Sequence, residues 1–303
     1  MGRSNELMLS YFSETLMEPF AYTFMQQAFL MVALVSIPTA ILSCFLVLKG
    51  WSLMGDAISH SVLPGVILAY IGGFSFAIGA FGAGMLCAVF TGFLKENSRL
   101  KEDTIMGVVF SGMFAVGLVM MTKVDSNIHL DHILFGDVLG LSWQNILETA
   151  GVTALVLSFI LFKGKDLLVF VFDQQHAKAL GLPGTLLHYG LLSLLSLTIV
   201  AALKAVGMIL VIAMLITPGA VAHLLTKKFR RMIVLSIIIS ISAAFSGVYI
   251  SFYIDSAPAP TIIVLLTLLF VIVFIYQDLW SVRRRGDSDT RKPSRMVRIF
   301  QSD

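Results

Sequence analysis

Long apolar runs, separated by short polar connections, are the dominant pattern along this chain. A helix that crosses a bilayer needs about 20 predominantly apolar residues. Runs of that kind lie at 24–48, 55–72, 75–94, 104–122, 145–163, 184–205, 206–225, 232–252 and 260–280. No alternation of apolar and polar residues is long enough to indicate a transmembrane barrel. The pattern therefore predicts an all-α, polytopic integral membrane helical bundle.

Two junctions decide how many transmembrane helices the bundle holds. The second and third runs are separated only by Gly72 and Gly73, and the sixth and seventh meet between Lys204 and Gly207. Both junctions are short for a connection between two crossings. We therefore predict eight or nine transmembrane helices.

Composition supports residence in a membrane and excludes two kinds of cysteine chemistry. The chain is 57% hydrophobic and only 13% charged, whereas a soluble domain carries about 25% charged residues. Cys44 and Cys87 both lie in apolar runs, so they provide neither a disulfide framework nor a cysteine-type zinc site. Residues 1–23 mix polar and apolar side chains and are interpreted as an N-terminal interfacial segment. A membrane domain over 24–282 follows it.

Positive charge is concentrated on alternate connections and at the carboxyl terminus. Lysines and arginines cluster at 95–101, 163–178 and 227–231 and in the tail, 283–303. Basic connections of membrane proteins face the cytoplasm, so the C-terminus is predicted to be cytoplasmic. The tail is expected either to be disordered or to face lipid headgroups of the membrane, and we predict no nucleic-acid partner.

The most informative polar residues are Asp56 and His60, which lie at the start of the second apolar run. At helical spacing, residues i and i+4 share a face, so both side chains can point at one target. Ionisable groups at membrane depth are costly and usually mark a pathway or a site. Mixed oxygen and nitrogen ligation suits Mn²⁺ or Fe²⁺ and tolerates Zn²⁺. The alternative is a structural pair that holds a broken helix.

Pro64 predicts that the helix is locally broken next to this pair. Proline has no N–H, so the carbonyl of His60 would lose its helical hydrogen bond. Glycines at 50, 55 and 65 would also allow a broken or re-entrant path.

A second group of candidate ligands lies in the longest connection on the outer side. His129 and His132 are three residues apart, and Asp131 lies beside them. They are candidate secondary metal contacts. The interpretation we favour is an interfacial helix whose polar residues touch water.

The segment 164–183, on the predicted cytoplasmic side, is predicted to contain a short helix, because the sequence carries signals for both of its ends. Asp173 is a candidate N-cap, and Gly181 followed by Pro183 is a stop signal. The segment is interpreted either as a solvated connector or as a docking helix for a cytoplasmic partner.

Several catalytic signatures are missing from the sequence. It contains no G-x-x-x-x-G-K-[ST] phosphate-binding loop, no H-E-x-x-H zinc motif and no G-x-S-x-G elbow. Three classes stay open on the residues alone. They are a transport subunit energised by a partner, a stand-alone secondary metal carrier or channel, and a polytopic membrane enzyme that uses Asp56 and His60.

The run Leu46–Gly65, LVLKGWSLMGDAISHSVLPG, resembles the signature of the permease subunits of bacterial manganese, iron and zinc ABC importers. The segment HILFG, 132–136, and the turn Thr217-Pro218-Gly219-Ala220 resemble two further family segments. The resemblance covers about residues 20–285. It is greatest for the chelated-iron and manganese permeases of the Sit/Yfe type.

This resemblance implies a fold like that of type II ABC importers and a role in transport, with no catalysis by this chain. It implies three protein partners: a cytoplasmic ABC ATPase dimer, a second permease copy or paralogue, and a periplasmic metal-binding protein. The implied location is the bacterial inner membrane.

The resemblance also implies roles for particular residues. Asp56 and His60 would meet transported Mn²⁺ and/or Fe²⁺, with no permanently bound cofactor; a zinc-selective permease is the alternative within the family. The segment 164–183 would be the ATPase-coupling segment, with its contacts at Asp173, Gln174, Gln175, His176, Ala177 and Gly181.

Overall fold

The computed structural model of the chain describes residues 17–123, 136, 138 and 140–289. Within these residues the ordered elements are helices, which confirms the predicted all-α class. The helices are α1 Thr23–Lys49, α2 Met54–Gly72, α3 Phe76–Asn97, α4 Glu102–Met121, α5 Trp143–Phe172, α6 Gln174–Ala179, α7 Gly184–Leu225, α8 Phe229–Tyr253 and α9 Pro258–Asp289. The candidate ligands His129, Asp131 and His132 lie outside the described residues.

In the described part of the chain, seven helices are long and apolar enough to cross a membrane. They are α1, α2, α3, α4, α7, α8 and α9. The predicted crossing at 145–163 lies inside α5, which is not one of the seven, so that crossing stays a prediction. The separation of the second and third predicted helices is confirmed, because Gly73, with φ 66°, ends α2 before α3 begins.

The longest helix, α7, folds back on itself. Its 42 residues would span about 63 Å if straight, roughly twice the hydrocarbon thickness. Gly207 interrupts it with φ 77° and ψ 165°, a backbone conformation that is essentially restricted to glycine.

Contacts with Trp51, just before α2, and with Gly55 of α2 give the direction of the two arms of α7. The Trp51 and His188 rings lie 5.3 Å apart, and Gly55 lies against Leu215. In a straight helix residues 188 and 215 would be about 40 Å apart. Their contact partners, Trp51 and Gly55, are only four positions apart in the chain. The arms are therefore antiparallel, as predicted for a pair of crossings that meet at Gly207.

The burial of the helices separates a central group from an outer group. In their most apolar windows α1, α2 and α7 are 72%, 72% and 67% buried, whereas α3, α4 and α9 are 28%, 22% and 17% buried. The outer helices expose large apolar side chains, for example Phe93, Val108 and Ile272. These are the faces that the chain leaves to lipid or to another subunit.

Buried hydroxyl groups tie neighbouring helices to the backbone of α1. Ser236 of α8 donates to the carbonyl of Ala40 at 2.9 Å. The Ser43 hydroxyl accepts from the Gly219 N–H at 2.9 Å and donates to the Ile216 carbonyl at 3.1 Å. In an apolar core these bonds satisfy polar groups that would otherwise be costly to bury.

Close packing of small residues holds α2 against α3. A Cβ atom on Gly65 would overlap the carbonyl of Gly79, and one on Gly79 would overlap the carbonyl of Gly65. Ala69 and Ala83 continue the same contact one turn further along each helix. This is the small-x-x-x-small arrangement by which membrane helices approach closely without a hydrophobic driving force.

Candidate metal site

Asp56 and His60 form a carboxylate–imidazole pair within one helix. The Asp56 Oδ1 and His60 Nε2 atoms lie 3.2 Å apart, and the two side chains are 27% and 26% exposed. The residues between them, Ala57, Ile58 and Ser59, are buried. The pair therefore occupies the one face of this part of α2 that is not closed by the core.

The beginning of α2 places the carboxylate where a helix favours negative charge. Asp56 lies in the first turn, after a helix start at Met54. The unpaired N–H groups of a first turn carry partial positive charge and stabilise an acidic side chain. Ser59 does not join the pair, because its hydroxyl donates to the Gly55 carbonyl at 2.7 Å.

Two phenylalanines of α4 enclose the imidazole. The Phe110 ring stacks on the His60 ring at 5.6 Å, and the Phe114 ring meets it edge-on at 5.0 Å. The sequence analysis missed both residues. Their spacing of four puts them on one helical face, but nothing in the sequence shows that this face meets His60.

One ring nitrogen of His60 has no hydrogen-bond partner. The Nδ1 atom is buried and unpaired, while Nε2 faces the carboxylate. When two donor atoms occupy adjacent positions around an octahedral metal ion, at metal–ligand distances near 2.1 Å, they lie about 3 Å from each other. The separation of Oδ1 and Nε2 is thus compatible with one ion held by both.

The pair by itself is an incomplete ligand set. The described residues contain no cluster of three or more histidine, cysteine or acidic side chains that could hold a metal ion. Two ligands leave several coordination positions open, which water or groups from another subunit would fill.

The predicted local break in α2 is wrong. The helix continues from Met54 to Gly72 with Pro64 inside it. Proline still removes the helical partner of the His60 carbonyl. However, α4 approaches closely at this point, since a Cβ atom on Gly117 would lie 3.0 Å from Pro64 Cδ. Packing of neighbouring helices therefore keeps the proline-containing segment helical.

The predicted turn at Thr217-Pro218-Gly219-Ala220 is also helical, because it lies inside the second arm of α7. The Ser43 hydroxyl of α1 inserts beside Pro218 and pairs with the backbone there. A polar side chain from a neighbouring helix is one way in which membrane helices tolerate proline.

The short helix predicted in the segment 164–183 is confirmed as α6. The Asp173 carboxylate caps it by accepting from the backbone N–H of His176 at 3.0 Å and of Gln175 at 2.8 Å. These hydrogen bonds hold the pKa of Asp173 below its ordinary value, and the bond from the His176 N–H has the largest effect. Ala177 is buried and anchors the helix, whereas Gln174, Gln175, His176 and Lys178 are exposed.

The carboxyl end of α6 is fixed by a Schellman motif. The N–H groups of Gly181 and Leu182 donate to the carbonyls of Lys178 and Ala177, both at 3.0 Å. Gly181 has φ 71°, the left-handed conformation that this motif requires. The predicted stop at Gly181 is therefore confirmed.

Part of the connection between α4 and α5 packs on the reversal of α7. Gly136 lies against the backbone of Val206 and Gly207, and Val138 and Leu141 are buried. Near this reversal, Lys204 of α7 forms a salt bridge of 3.1 Å with Glu148 of α5.

A bundle of apolar helices that carries an ionisable pair at the start of a central helix is typical of membrane transport proteins. A family model described as the ABC 3 transport family matches residues 21–277. The chain belongs to this family, whose members serve as membrane permease subunits and are not enzymes themselves.

Two characterised relatives and one solved structure are similar over most of their length. The chain is 52% identical to the chelated iron transport system membrane protein YfeD of Yersinia pestis, covering 88% of this chain and 90% of YfeD. It is 49% identical to the manganese transport system membrane protein MntB of Synechocystis sp., covering 89% of each. The structure of PsaBC from Streptococcus pneumoniae in complex with Fab matches with 38% identity and a TM-score of 0.77, covering 88% of this chain and 95% of that chain.

Proposed function

We propose that this chain is the permease subunit of an ATP-driven importer of Mn²⁺ and/or Fe²⁺. It takes the ion from an extracytoplasmic binding protein and passes it across the membrane through Asp56 and His60. The observation that carries this proposal is the 3.2 Å separation of the Asp56 and His60 donor atoms on a partly open face of a central helix. The names of the relatives YfeD and MntB, iron and manganese transport proteins, support the choice of metal.

The pair acts as half of a metal site. A second permease subunit, identical or paralogous, packs about a twofold axis and brings its own carboxylate and imidazole. Two oxygen and two nitrogen donors then surround one ion. Such a set binds Mn²⁺ and Fe²⁺ adequately and, unlike a closed cysteine cage, leaves positions through which the ion is exchanged.

The energy comes from a separate ATPase dimer, since the sequence contains no phosphate-binding loop of the G-x-x-x-x-G-K-[ST] type. The ATPase contacts α6, whose ends are fixed by Asp173 and Gly181 and whose outer face is polar. The basic connections support a cytoplasmic location for α6 and the C-terminus, with the bundle in the inner membrane of a bacterium.

Reconstitution tests the proposal directly. Proteoliposomes would hold the chain with its ATPase, second permease and binding protein, and radiolabelled Mn²⁺ uptake would be measured with Fe²⁺ and Zn²⁺ as competitors. The expected result is uptake that needs ATP and every component. Uptake by the chain alone, driven by an ion gradient, would replace the importer with a secondary carrier. Strong competition by Zn²⁺ alone would indicate a zinc-selective permease.

A further inference from the structure

The imidazole of His60 lacks the hydrogen bond that usually orients a metal-binding histidine. Such a histidine commonly donates its second ring nitrogen to a carboxylate or a backbone carbonyl, and that contact fixes the ring. In the described part of the chain, no protein group pairs with the buried Nδ1 atom of His60. Ser59, one position earlier, turns its hydroxyl to the Gly55 carbonyl instead. Other contacts must therefore hold the ring.

These contacts come from Phe110 and Phe114 of α4. The Phe110 ring is stacked on the imidazole, with 5.6 Å between the ring centroids and 26° between the planes. The Phe114 ring meets the imidazole edge-on, at 5.0 Å and 81°. Both distances lie in the range of about 4.5–7 Å in which aromatic rings attract one another. A rotation of the imidazole about its bond to Cβ would have to displace a phenylalanine.

Close packing of α4 on α2 fixes where the two phenylalanines lie. A Cβ atom on Gly117 would lie 3.0 Å from Pro64 Cδ. Gly117 follows Phe114 by three residues, and Pro64 follows His60 by four, so the two helices meet over successive turns. One turn before the phenylalanines, Met106 of α4 is fully buried. The two rings lie between these anchor points and are held by a packed helix interface.

The covered side of the imidazole determines which nitrogen an ion can meet. Nδ1 is buried, whereas the His60 side chain as a whole is 26% exposed and its Nε2 lies 3.2 Å from Asp56 Oδ1. An ion that arrives from the open side can therefore meet Nε2 but not Nδ1. A half-turn of the ring about the Cβ–Cγ bond would put a carbon atom in the place of Nε2 and lose this arrangement.

Hydrophobicity alone does not explain why the phenylalanines face inward. A membrane helix gains little by burying an apolar side chain, because lipid tails are as apolar as the side chain itself. Elsewhere α4 exposes large apolar side chains, with Val108 and Val116 at 68% and 54%. Phe110 and Phe114 are instead placed against the one ionisable side chain that they can orient.

We propose that Phe110 and Phe114 are positioning residues for transport, because they hold the His60 imidazole with Nε2 beside the Asp56 carboxylate before an ion arrives. This inference rests on the proposed function, in which the carboxylate and the imidazole meet Mn²⁺ or Fe²⁺. A ligand that is already oriented loses less side-chain entropy when the ion binds. The phenylalanines act only through His60.

The test measures Mn²⁺ binding to the full chain in detergent micelles, with the electron paramagnetic resonance signal of aqueous Mn²⁺ as the measure of free ion. Phe110→Leu and Phe114→Leu should each weaken binding about tenfold, the lower end of the range for residues that support a metal ligand. Phe110→Tyr and Phe114→Tyr keep the rings and should bind nearly as tightly as the unchanged chain. In a His60→Ala background the leucine substitutions should have no further effect, because no imidazole remains to be oriented.

Phe159→Leu in α5 is the matched control, since Phe159 is also partly buried and its ring lies against Gly190 of α7. An equal loss of affinity in this control, or an undiminished effect of Phe114→Leu in the His60→Ala background, would assign the α4 phenylalanines to packing and overturn the inference. Unchanged binding in both leucine variants, with binding lost in His60→Ala, would also overturn it and leave the proposed transport site standing. Equal binding by His60→Ala and the unchanged chain would overturn the transport site itself, and this inference with it.

Discussion

The hydroxyl of Thr153 in α5 donates a hydrogen bond of 3.1 Å to the carbonyl of Leu34 in α1. Leu34 lies four residues before Pro38, which is inside α1 and has no N–H to offer. A side chain from one helix therefore replaces the backbone hydrogen bond that proline removes from another. This contact explains why α1 runs without interruption from Thr23 to Lys49.

We predict that Thr153→Val destabilises the chain by about 1 kcal/mol, because the partly buried carbonyl of Leu34 loses this donor. Thermal unfolding in micelles, followed by circular dichroism or by a thiol-reactive probe, measures the loss. Ser158→Ala is the matched control, since that hydroxyl is exposed and donates within its own helix to Ala154.

A double-mutant cycle separates this hydrogen bond from simple loss of packing. Pro38→Ala restores an N–H that pairs with the Leu34 carbonyl, so in that background Thr153→Val should cost nearly nothing. An undiminished cost in the Pro38→Ala background would show that Thr153 acts through packing alone.

The contact between Gly65 and Gly79 predicts a second stability effect. Gly65→Ala places a methyl group in the backbone of α3 and should destabilise the bundle by about 1–3 kcal/mol, as overpacking usually does. Gly82→Ala in α3 is the control, because a Cβ atom there meets no other atom within 4 Å. Similar unfolding temperatures for the two variants would mean that α2 and α3 do not approach this closely.

The Schellman motif of α6 predicts how coupling is lost. Gly181→Pro should leave ATP hydrolysis by the assembled transporter active while metal uptake falls, because proline fixes φ near −65° where the motif needs a positive angle. Asp173→Ala should have a smaller effect, since losing an N-cap costs about 0.5–2 kcal/mol, and Asp173→Asn should retain coupling. Hydrolysis and uptake would be measured on the same proteoliposomes.

Gly151→Ala is the control for these coupling variants, because its position in α5 is open. Unchanged coupling in Gly181→Pro would move the ATPase contact away from α6. A parallel fall of hydrolysis and uptake would indicate lost assembly instead of uncoupling.

The helices and the ends of α6 could be predicted because their signals are local. Apolar runs mark the crossings, and Asp173 and Gly181 cap α6 through residues within a few positions of themselves. The reversal of α7 could be predicted for the same reason, because Gly207 itself adopts the backbone conformation that interrupts the helix.

The errors came from contacts between distant segments. Pro64 favours a break when its helix is considered alone, but close packing of α4 at Gly117 keeps α2 continuous. The predicted turn at Pro218 is likewise helical, and Ser43, which is far from it in sequence, hydrogen-bonds to the backbone on either side of the proline. The spacing of Asp56 and His60 was sufficient to predict that their side chains share a face. The contacts of His60 with Phe110 and Phe114 could not be predicted, because the sequence does not show which helices meet.

The histidines of the outer connection are expected to be secondary. His129→Ala with His132→Ala should reduce uptake only modestly, because the favoured interpretation places them at a wet interface rather than on the ion. Concentration dependence of Mn²⁺ uptake, measured with saturating binding protein, checks this expectation. Complete loss of uptake would indicate that His129 and His132 are essential metal ligands.

The geometry of Asp56 and His60 gives the sharpest test of the transport site. Both residues lie on α2, so their contact joins no two helices. A side-chain pair within one helix contributes less than about 1 kcal/mol to stability. Asp56→Asn should therefore leave the unfolding temperature nearly unchanged. His60→Ala also removes the ring contacts with Phe110 and Phe114 of α4 and should lower the unfolding temperature.

Uptake should fall much further than stability in both variants, because each changes a proposed metal ligand. Loss of a supporting residue around a metal typically costs about 10- to 100-fold, and loss of a ligand should cost more. Stability would be measured by thermal unfolding, and uptake on proteoliposomes from the same preparation. If the pair were structural, the unfolding temperature and uptake of Asp56→Asn would fall together. Normal uptake in a stable Asp56→Asn protein would remove the carboxylate from the pathway.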